Sequence, residues 1–592
     1  MQDKFTALIN EHEAYLKDNE GIFNLIGYIK LFLVAALAVL IIFMAIRNVT
    51  LELILISLGV FIVLAVLWIY HNRLNDKIDY SKGIIAICNQ QIDRITGKWP
   101  TFEDTGSEFV DASHAYACDL DIVGKKSLFQ LLNTTHTWHG RQAFANDLLQ
   151  PTYHGNVLNQ RQDAITELSN DIVFSSKMQY YLSKTKTDSS DLLDDLQDKT
   201  PFIRFKSIRL ILTFTPAITV LLLASFLVFQ LNNLFPIVLL FLAIQAAAWT
   251  IGVSKLFRYL SSMTHLPSRL NAYNIVIKIL KDHNFSSEKL NQIKAELVSA
   301  EKPIRTLSSI ANRINIKHNF LIYFFLNIII LWDYECAFSL QEWKRKYAHL
   351  AENWFQSIGE FESLLSFSHL PNICDTTCLP ETSEEKGLIE AKSFGHPLLP
   401  NENRVSNEFR FSDNIFIISG SNMSGKTTLL RTVGINVVLA RAGSSVCAKS
   451  MVLSPLSVIT SMRISDDLNE GVSTFYAELR RIKKILDVSE QQPSTLFLID
   501  EIFKGTNSVD RLIGANTVIK TLNSMGAIGL VSTHDLELCN LSSTFSRIKN
   551  YHFIEHYKDN KILFDYKMRT GISNTSNAKY LMEMVGIRLD KG

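Results

Sequence analysis

From Leu210 to Ser254 the chain carries no charged residue. Polar residues cluster once inside this stretch, at Gln230-Leu-Asn-Asn-Leu-Phe-Pro236, and divide it into two apolar runs. Each approaches the roughly 20 residues that a bilayer-spanning helix needs, and Pro216 and Pro236 are tolerated in such helices. The pattern predicts a transmembrane hairpin over 209–255. A second pair of runs lies upstream. Residues 21–46 hold one charge, Lys30, and Leu53 to Tyr70 hold none, with Arg47 to Glu52 between them. These runs are shorter, so a buried core hairpin is the competing reading. Their pairing and their basic outer flanks favour a transmembrane hairpin over 21–73. A third apolar run, Phe320 to Trp332, contains Asn327. A fifth span is the alternative reading, but at about 13 residues the run is short, and it is expected as a core helix.

The remaining pattern is soluble in character. Residues 1–20 are polar and helical in period, without the basic start and small-residue cleavage site of a signal peptide. Residues 74–208 and 256–385 read as amphipathic helices of an all-α core, broken at Pro151. A polar linker over 379–390, with Pro380 and two adjacent glutamates, precedes a final domain at 386–592. There the period changes. Asn414–Ser419, Thr495–Asp500 and Ile528–Thr533 are short apolar runs expected as buried strands, and 428–440 reads as a helix. The predicted fold is an α/β P-loop NTPase domain behind a helical core, with two membrane hairpins.

The chemistry lies at the ends of those strands. Gly420-Ser421-Asn422-Met423-Ser424-Gly425-Lys426-Thr427-Thr428 fits the phosphate-cradling pattern of Gly, four residues, then Gly-Lys-Thr. Its glycines let backbone N–H groups turn toward phosphate oxygens, and the following helix adds positive potential. ATP is the expected ligand, with Lys426 reaching its β- and γ-phosphates and Thr427 ligating Mg²⁺. Asp500 would hold Mg²⁺ indirectly, from behind its immediate ligands or through Thr427, and Glu501 would position or deprotonate the attacking water. His534 could sense the γ-phosphate, against the plainer reading of an ordinary strand-end histidine.

These residues resemble a family. The phosphate loop, then Ile464-Ser-Asp-Asp-Leu-Asn-Glu-Gly-Val-Ser-Thr-Phe-Tyr-Ala-Glu478, then Asp500-Glu-Ile-Phe-Lys-Gly-Thr-Asn-Ser508 and Ser532-Thr-His-Asp535 are similar in order and spacing to the ATPase domain of the MutS mismatch-repair proteins. Ala391–Leu399 resembles the segment entering that domain, and Gly571–Ala578 its closing segment. Gly124–Pro151 and Gln160–Leu168 resemble the start of the MutS core, or lever, domain. The resemblance implies ATP hydrolysis coupled to a conformational change in a homodimer joined through the ATPase domains. It also implies that Ser473 sits near the γ-phosphate bound by the other subunit, whereas Ser473 alone reads as a helix cap. Glu478 and Asp510 are expected as structural or interface residues. Mismatch-repair-type DNA binding is implied too, but the motif of a Phe with a Glu two residues on has no counterpart in an N-terminal soluble domain.

Composition narrows the partners. A net charge of +1 over 592 residues offers no global surplus for nucleic acid. DNA binding is therefore expected to be weak and salt-sensitive. The 47% hydrophobic content is accounted for by the hairpins, which make membrane lipid a partner. Seven cysteines without regular spacing form no disulfide framework, and Cys374 and Cys378 read as free thiols rather than half a metal site. Basic residues lie outside both hairpins, so both should return to one side. The expectation is a multi-pass protein of the cell (inner) membrane, with both termini and the soluble domains in the cytoplasm. An ATP-driven conformational switch or transporter-related ATPase is the alternative. The chain lacks a Leu-Ser-Gly-Gly-Gln signature, and four spans leave little room for a translocation path.

Overall fold

The computed structural model describes the chain apart from residues 1, 47–49, 186–195, 197–201, 204–205, 265, 422, 464–473, 493, 504–506, 559–560 and 574–592. Asn422, Ser473 and most of the two segments beginning at Ile464 and Gly571 thus lie outside the described residues.

Two long antiparallel helices open the chain, α1 (Gln2–Ile46) and α2 (Leu51–Ile95). At 1.5 Å per residue, 45 residues extend about 67 Å, roughly twice the hydrocarbon thickness of a bilayer. The polar first 20 residues are therefore not a separate segment but the near half of one helix. That near half packs inward: Phe5, Ile9, Ile84 and Cys88 are buried with Tyr180. The far half is apolar and bare, with Leu31 70% and Ile46 78% exposed.

The helical core follows as α3 (Leu128–Leu132), α4 (Trp138–Leu149), α5 (Gly155–Asn170) and α6 (Ile172–Ser183). The second hairpin interrupts it as α7 (Lys206–Phe229) and α8 (Phe235–Ser261). Inside this hairpin Gln245 Nε2 donates to Thr219 Oγ1 at 2.6 Å, with both residues buried. That bond ties the two helices together, while Gln245 Oε1 is buried without a partner among the described residues. Four helices of the described chain are long and apolar enough to cross a membrane: α1, α2, α7 and α8.

The core resumes with α9 (Pro267–Asp282), α10 (Glu288–Ile314), α11 (Phe320–Ile330) and α12 (Trp332–Phe367). Here the structure corrects the sequence reading. The apolar run at 320–332 is not a core helix. Phe320, Leu321, Ile322 and Phe325 are all more than half exposed, and α11 lies against α7 and α8. It meets α12 at a 78° bend through Leu331, whose φ is +48°. A polar knot holds the bend. Asn327 Oδ1 accepts from the Asp333 amide at 3.0 Å, and the Asp333 carboxylate accepts from Tyr323 Oη at 2.5 Å and Trp249 Nε1 at 3.2 Å.

The last domain carries two sheets. A four-stranded sheet orders β1 (Glu381–Thr382), β5 (Ser450–Leu453), β2 (Ile389–Phe394) and β3 (Asn407–Phe411). The main six-stranded sheet orders β10 (Lys561–Thr570), β9 (Ile548–Lys558), β4 (Ile415–Ser419), β8 (Ile528–Thr533), β7 (Thr495–Asp500) and β6 (Ser457–Ser461). All its neighbours pair parallel except the β9–β10 hairpin. Strands β4, β7 and β8 are buried along their whole length, as central parallel strands require.

Core and sheet domain share one apolar cluster. An irregular segment near residues 111–126 docks between them. Asp119, 1% exposed, accepts from Thr460 Oγ1 at 2.7 Å, the Met462 and Arg463 amides at 3.1 and 3.0 Å, and Arg481 at 2.8 Å. Asp121 pairs with Arg431 at 2.9 Å and Arg463 at 2.5 Å. Farther down the interface the Cys374 and Cys447 thiols touch at 2.9 Å.

Two buried histidines give the fold an acid edge. Burial, reinforced by Arg94, pushes the His369 pKa down to about 3, and burial with Arg431 and Arg404 does the same to His396. An unfolded histidine titrates near 6.5. Between that value and 3 the unfolded chain binds the extra proton, so stability is present above 6.5 and is lost as pH falls through the window. Each residue then costs about 2 kcal/mol at pH 5. His369→Gln, which keeps a polar group beside Gln179 but cannot titrate, is expected to flatten the fall in thermal unfolding temperature between pH 7 and 5. An unchanged pH slope would contradict this.

Candidate functional site

Strand register brings the sequence motifs together. Ser419 at the end of β4 pairs with Thr533 at the end of β8, and Asp500 at the end of β7 pairs with Ser532. Three adjacent parallel strands thus deliver the phosphate loop, the Asp500-Glu501 pair and His534 to one carboxyl edge, where open α/β sheets bind ligands.

The loop turns from β4 into α14 (Lys426–Arg441, following the short α13 at Leu370–Ile373). Gly425 takes φ +105°, and a Cβ there would also meet Tyr566 at 3.1 Å. Met423 takes φ +69° and is 85% exposed. Lys426 is buried and curls back, its Nζ donating to the Gly420 and Ser421 carbonyls at 2.8 Å each. The Ser424 Oγ is buried with no hydrogen-bond partner among the described residues. An anion in the loop would supply the acceptor that this hydroxyl lacks and a better one for Lys426.

Thr427 Oγ1 donates to Asp500 Oδ2 at 2.7 Å. The other Asp500 oxygen accepts from Ser532 Oγ. Hydroxyl and carboxylate oxygens side by side are the donor set that Mg²⁺ prefers. Glu501 sits at φ +51°, a conformation that costs a non-glycine residue about 1–3 kcal/mol. Its amide is held by Ser532, through the carbonyl at 3.1 Å and Oγ at 3.2 Å. The His534 Nε2 lies 2.5 Å from Glu501 Oε1. The histidine therefore contacts the expected base rather than standing apart from it.

Glu478 on α15 (Thr474–Gln491) is buried and accepts from the Phe503 amide. Asp510 lies in the first turn of α16 (Ser508–Ser524), where its amide donates to the capping Asn507 side chain at 2.9 Å. Both make local hydrogen bonds within the ATPase-like domain.

Sequence reasoning missed the wall opposite the loop. A cleft of about 520 Å³ runs from Lys426 and Glu501 to an apolar face made by Phe394, Leu399, Val405, Phe553 and Tyr566. His396 lines it too, neutral over the physiological range because of its burial. These residues come from both sheets and from the loop between β2 and β3, with no single spacing to announce them. Only the resemblance of Ala391–Leu399 marked part of the wall in advance.

A mixed α/β domain with this strand order, joined to a helical core, defines the class, and comparison with known proteins gives the family. Residues 117–368 match the model of MutS domain III, and residues 416–588 that of MutS domain V. The MutS protein homolog 4 of Mus musculus is 31% identical over 244 residues, 39% of this chain and 25% of that protein. The DNA mismatch repair protein MutS of Roseiflexus sp. (strain RS-1) is 30% identical over 221 residues, 37% of this chain and 20% of that protein. That of Lactobacillus johnsonii is 28% identical over 268 residues, 43% and 30% respectively. The chain belongs to the MutS family. It spans less than a third of the length of these curated relatives.

Proposed function

We propose that the protein is a membrane-anchored P-loop ATPase of the MutS type, with the soluble domains on the cytoplasmic side. The carrying observation is the meeting of Lys426, Thr427, Asp500, Glu501 and His534 at the ends of adjacent strands β4, β7 and β8. In this reading loop residues 420–428 hold the ATP phosphates, and Lys426 leaves its carbonyl partners for the β- and γ-oxygens. Thr427 and Asp500 hold Mg²⁺, whose chemistry is to neutralise charge developing on the phosphates. The apolar cleft wall receives the adenine. Glu501 orients and deprotonates water, and His534, already against Glu501, reports whether a γ-phosphate is present. The Asp119 and Asp121 contacts connect the site to the helical core: Arg431 follows the phosphate loop on α14, and Arg463 precedes the segment carrying Ser473. Purified protein should turn over ATP only with Mg²⁺. Chelation with EDTA is expected to abolish turnover and excess Mg²⁺ to restore it. Full activity in EDTA would overturn the role of Thr427 and Asp500.

The membrane part of the proposal is supported by the four bare apolar helices and their flanks. Arg209 precedes the second hairpin's uncharged run and Lys255 and Arg258 follow it, whereas its loop at 230–236 holds no cation. As in the sequence reading, the domains would be hairpins at 21–73 and 209–255, a core at 74–208 and 256–385, and an ATPase domain at 386–592.

DNA binding is proposed as weak. DNA affinity comes largely from clustered cations that neutralise phosphates, and the basic residues near 204–209 and 255–258 belong to the bilayer flanks. Matched and mismatched duplexes are expected to compete about equally at physiological salt. A preference for the mismatch of roughly tenfold, about 1.4 kcal/mol, would instead favour a repair function.

A further inference from the structure

The base of the second hairpin borders an open cleft that the ATP site does not use. It measures about 530 Å³, within the range of small-ligand sites, and lies between α7, α10 and α12. Three cations line it: Arg209, Arg313 and Lys346. None of them forms an ion pair among the described residues. Arg209 lies over the Phe338 ring at 5.3 Å and Lys346 over Tyr347 at 5.1 Å. The Arg313 Nε is buried without a hydrogen-bond partner among the described residues. Two carboxylates, Glu335 and Glu342, also line the cavity; Glu342 pairs with Arg345 at 2.5 Å and is near enough to Arg209 and Lys346 to feel their charge. The site thus holds more positive charge than its own carboxylates balance, and one buried N–H lacks an acceptor.

On the membrane reading, its place beside the uncharged run points to the ligand. Arg209 is the last charge before the uncharged run, and Thr213, one turn farther along α7, lines the same cavity. Around the hairpin base other cations sit on aromatic faces: Lys255 over Phe202 at 5.2 Å, Lys317 over Phe257 at 5.4 Å and Lys344 over Tyr259 at 5.2 Å. Such a collar of aromatic rings and long cationic side chains belongs at the boundary between hydrocarbon and headgroups. Beyond it α7 exposes Leu210, Ile211 and Phe214 by more than half each. One end of the site is therefore cationic and the other opens onto a bare apolar helix.

We infer that this cavity binds the headgroup of an anionic phospholipid, with Arg209, Arg313 and Lys346 around the phosphate and the acyl chains along α7. The inference rests on the membrane reading above. It makes the hairpin base a specific lipid site, placed where α10 and α12 of the core meet the bilayer.

The full-length protein, extracted in mild detergent with an equal mixture of phosphatidylglycerol and phosphatidylcholine, can be weighed by native mass spectrometry. Retained phosphatidylglycerol should exceed phosphatidylcholine by about tenfold, as a few uncompensated cations allow. Arg209→Gln combined with Lys346→Gln should remove that preference, and Arg209→Lys with Lys346→Arg should keep most of it. ATP turnover in detergent should stay unchanged in both, showing that the chain is folded. Excess inorganic phosphate or duplex DNA should leave the lipid in place. Equal retention of the two lipids, preference persisting in the glutamine variant, or displacement by phosphate or DNA would overturn the site. Release of the protein from membranes by carbonate washing would instead remove the membrane reading beneath it.

Discussion

Glu501→Gln is expected to bind ATP about as well as the parent protein and to hydrolyse it at least about a hundredfold more slowly, the usual contribution of a positioned general base. The amide keeps the shape and the hydrogen-bonding reach of the side chain but cannot take a proton. Its backbone is already fixed in a strained conformation by Ser532, so the substitution leaves the loop geometry intact. Lys426→Ala should fail earlier, at binding. In the free protein Lys426 satisfies two loop carbonyls. Its loss removes the cation for the phosphates and leaves those carbonyls to repel them. The two variants thus separate binding from chemistry, which nucleotide-binding and single-turnover measurements resolve. The Glu501→Gln protein with ATP trapped is also the form in which the dimer implied by Ser473 should be seen by mass in detergent. Wild-type turnover in Glu501→Gln would take the base assignment away.

The second large effect is all-or-none. A cysteine at Asn232, in the exposed turn between α7 and α8, should react with an impermeant maleimide added to intact cells. One at Val509, 65% exposed on the ATPase domain, should react only after permeabilisation. The bent α11–α12 pair makes this informative. If α11 dipped through the membrane as a fifth span, the ATPase domain would lie on the same side as Asn232 and both positions would label from outside. The polar knot of Trp249, Tyr323, Asn327 and Asp333 argues for a bend that returns at the membrane surface.

The parts of the chain that could be read in advance share a physical reason. Strands β4, β7 and β8 are buried on both faces, so each is a mostly apolar run, and each leads into residues whose chemistry marks it. Helices α7 and α8 were visible because an uncharged run of such length has few readings other than a pair of long apolar helices. What stayed hidden was set by tertiary contacts. Nothing near Asp119 announces that it will dock on Thr460, Met462, Arg463 and Arg481. The cleft wall draws Phe394 and Phe553 from different sheets. The run at 320–332 has the composition of a core helix, and its misreading came from length alone. Its buried Asn327 was the available signal, since its side chain accepts from the Asp333 amide at the turn to α12. The unbroken α1 was hidden for the converse reason: a change from polar to apolar residues looks like a boundary, whereas the backbone helix continues across it.

The central claim is that ATP chemistry and membrane anchoring belong to one chain, with the ATP site facing the cytoplasm. Sealed vesicles of opposite orientation test it most directly, with externally added ATP and the Glu501→Gln protein as the blank. Inside-out vesicles should hydrolyse the added ATP at once, right-side-out vesicles only after detergent, and the activity should survive a carbonate wash. Activity that washes away, or that appears equally from both faces of sealed vesicles, would contradict the account.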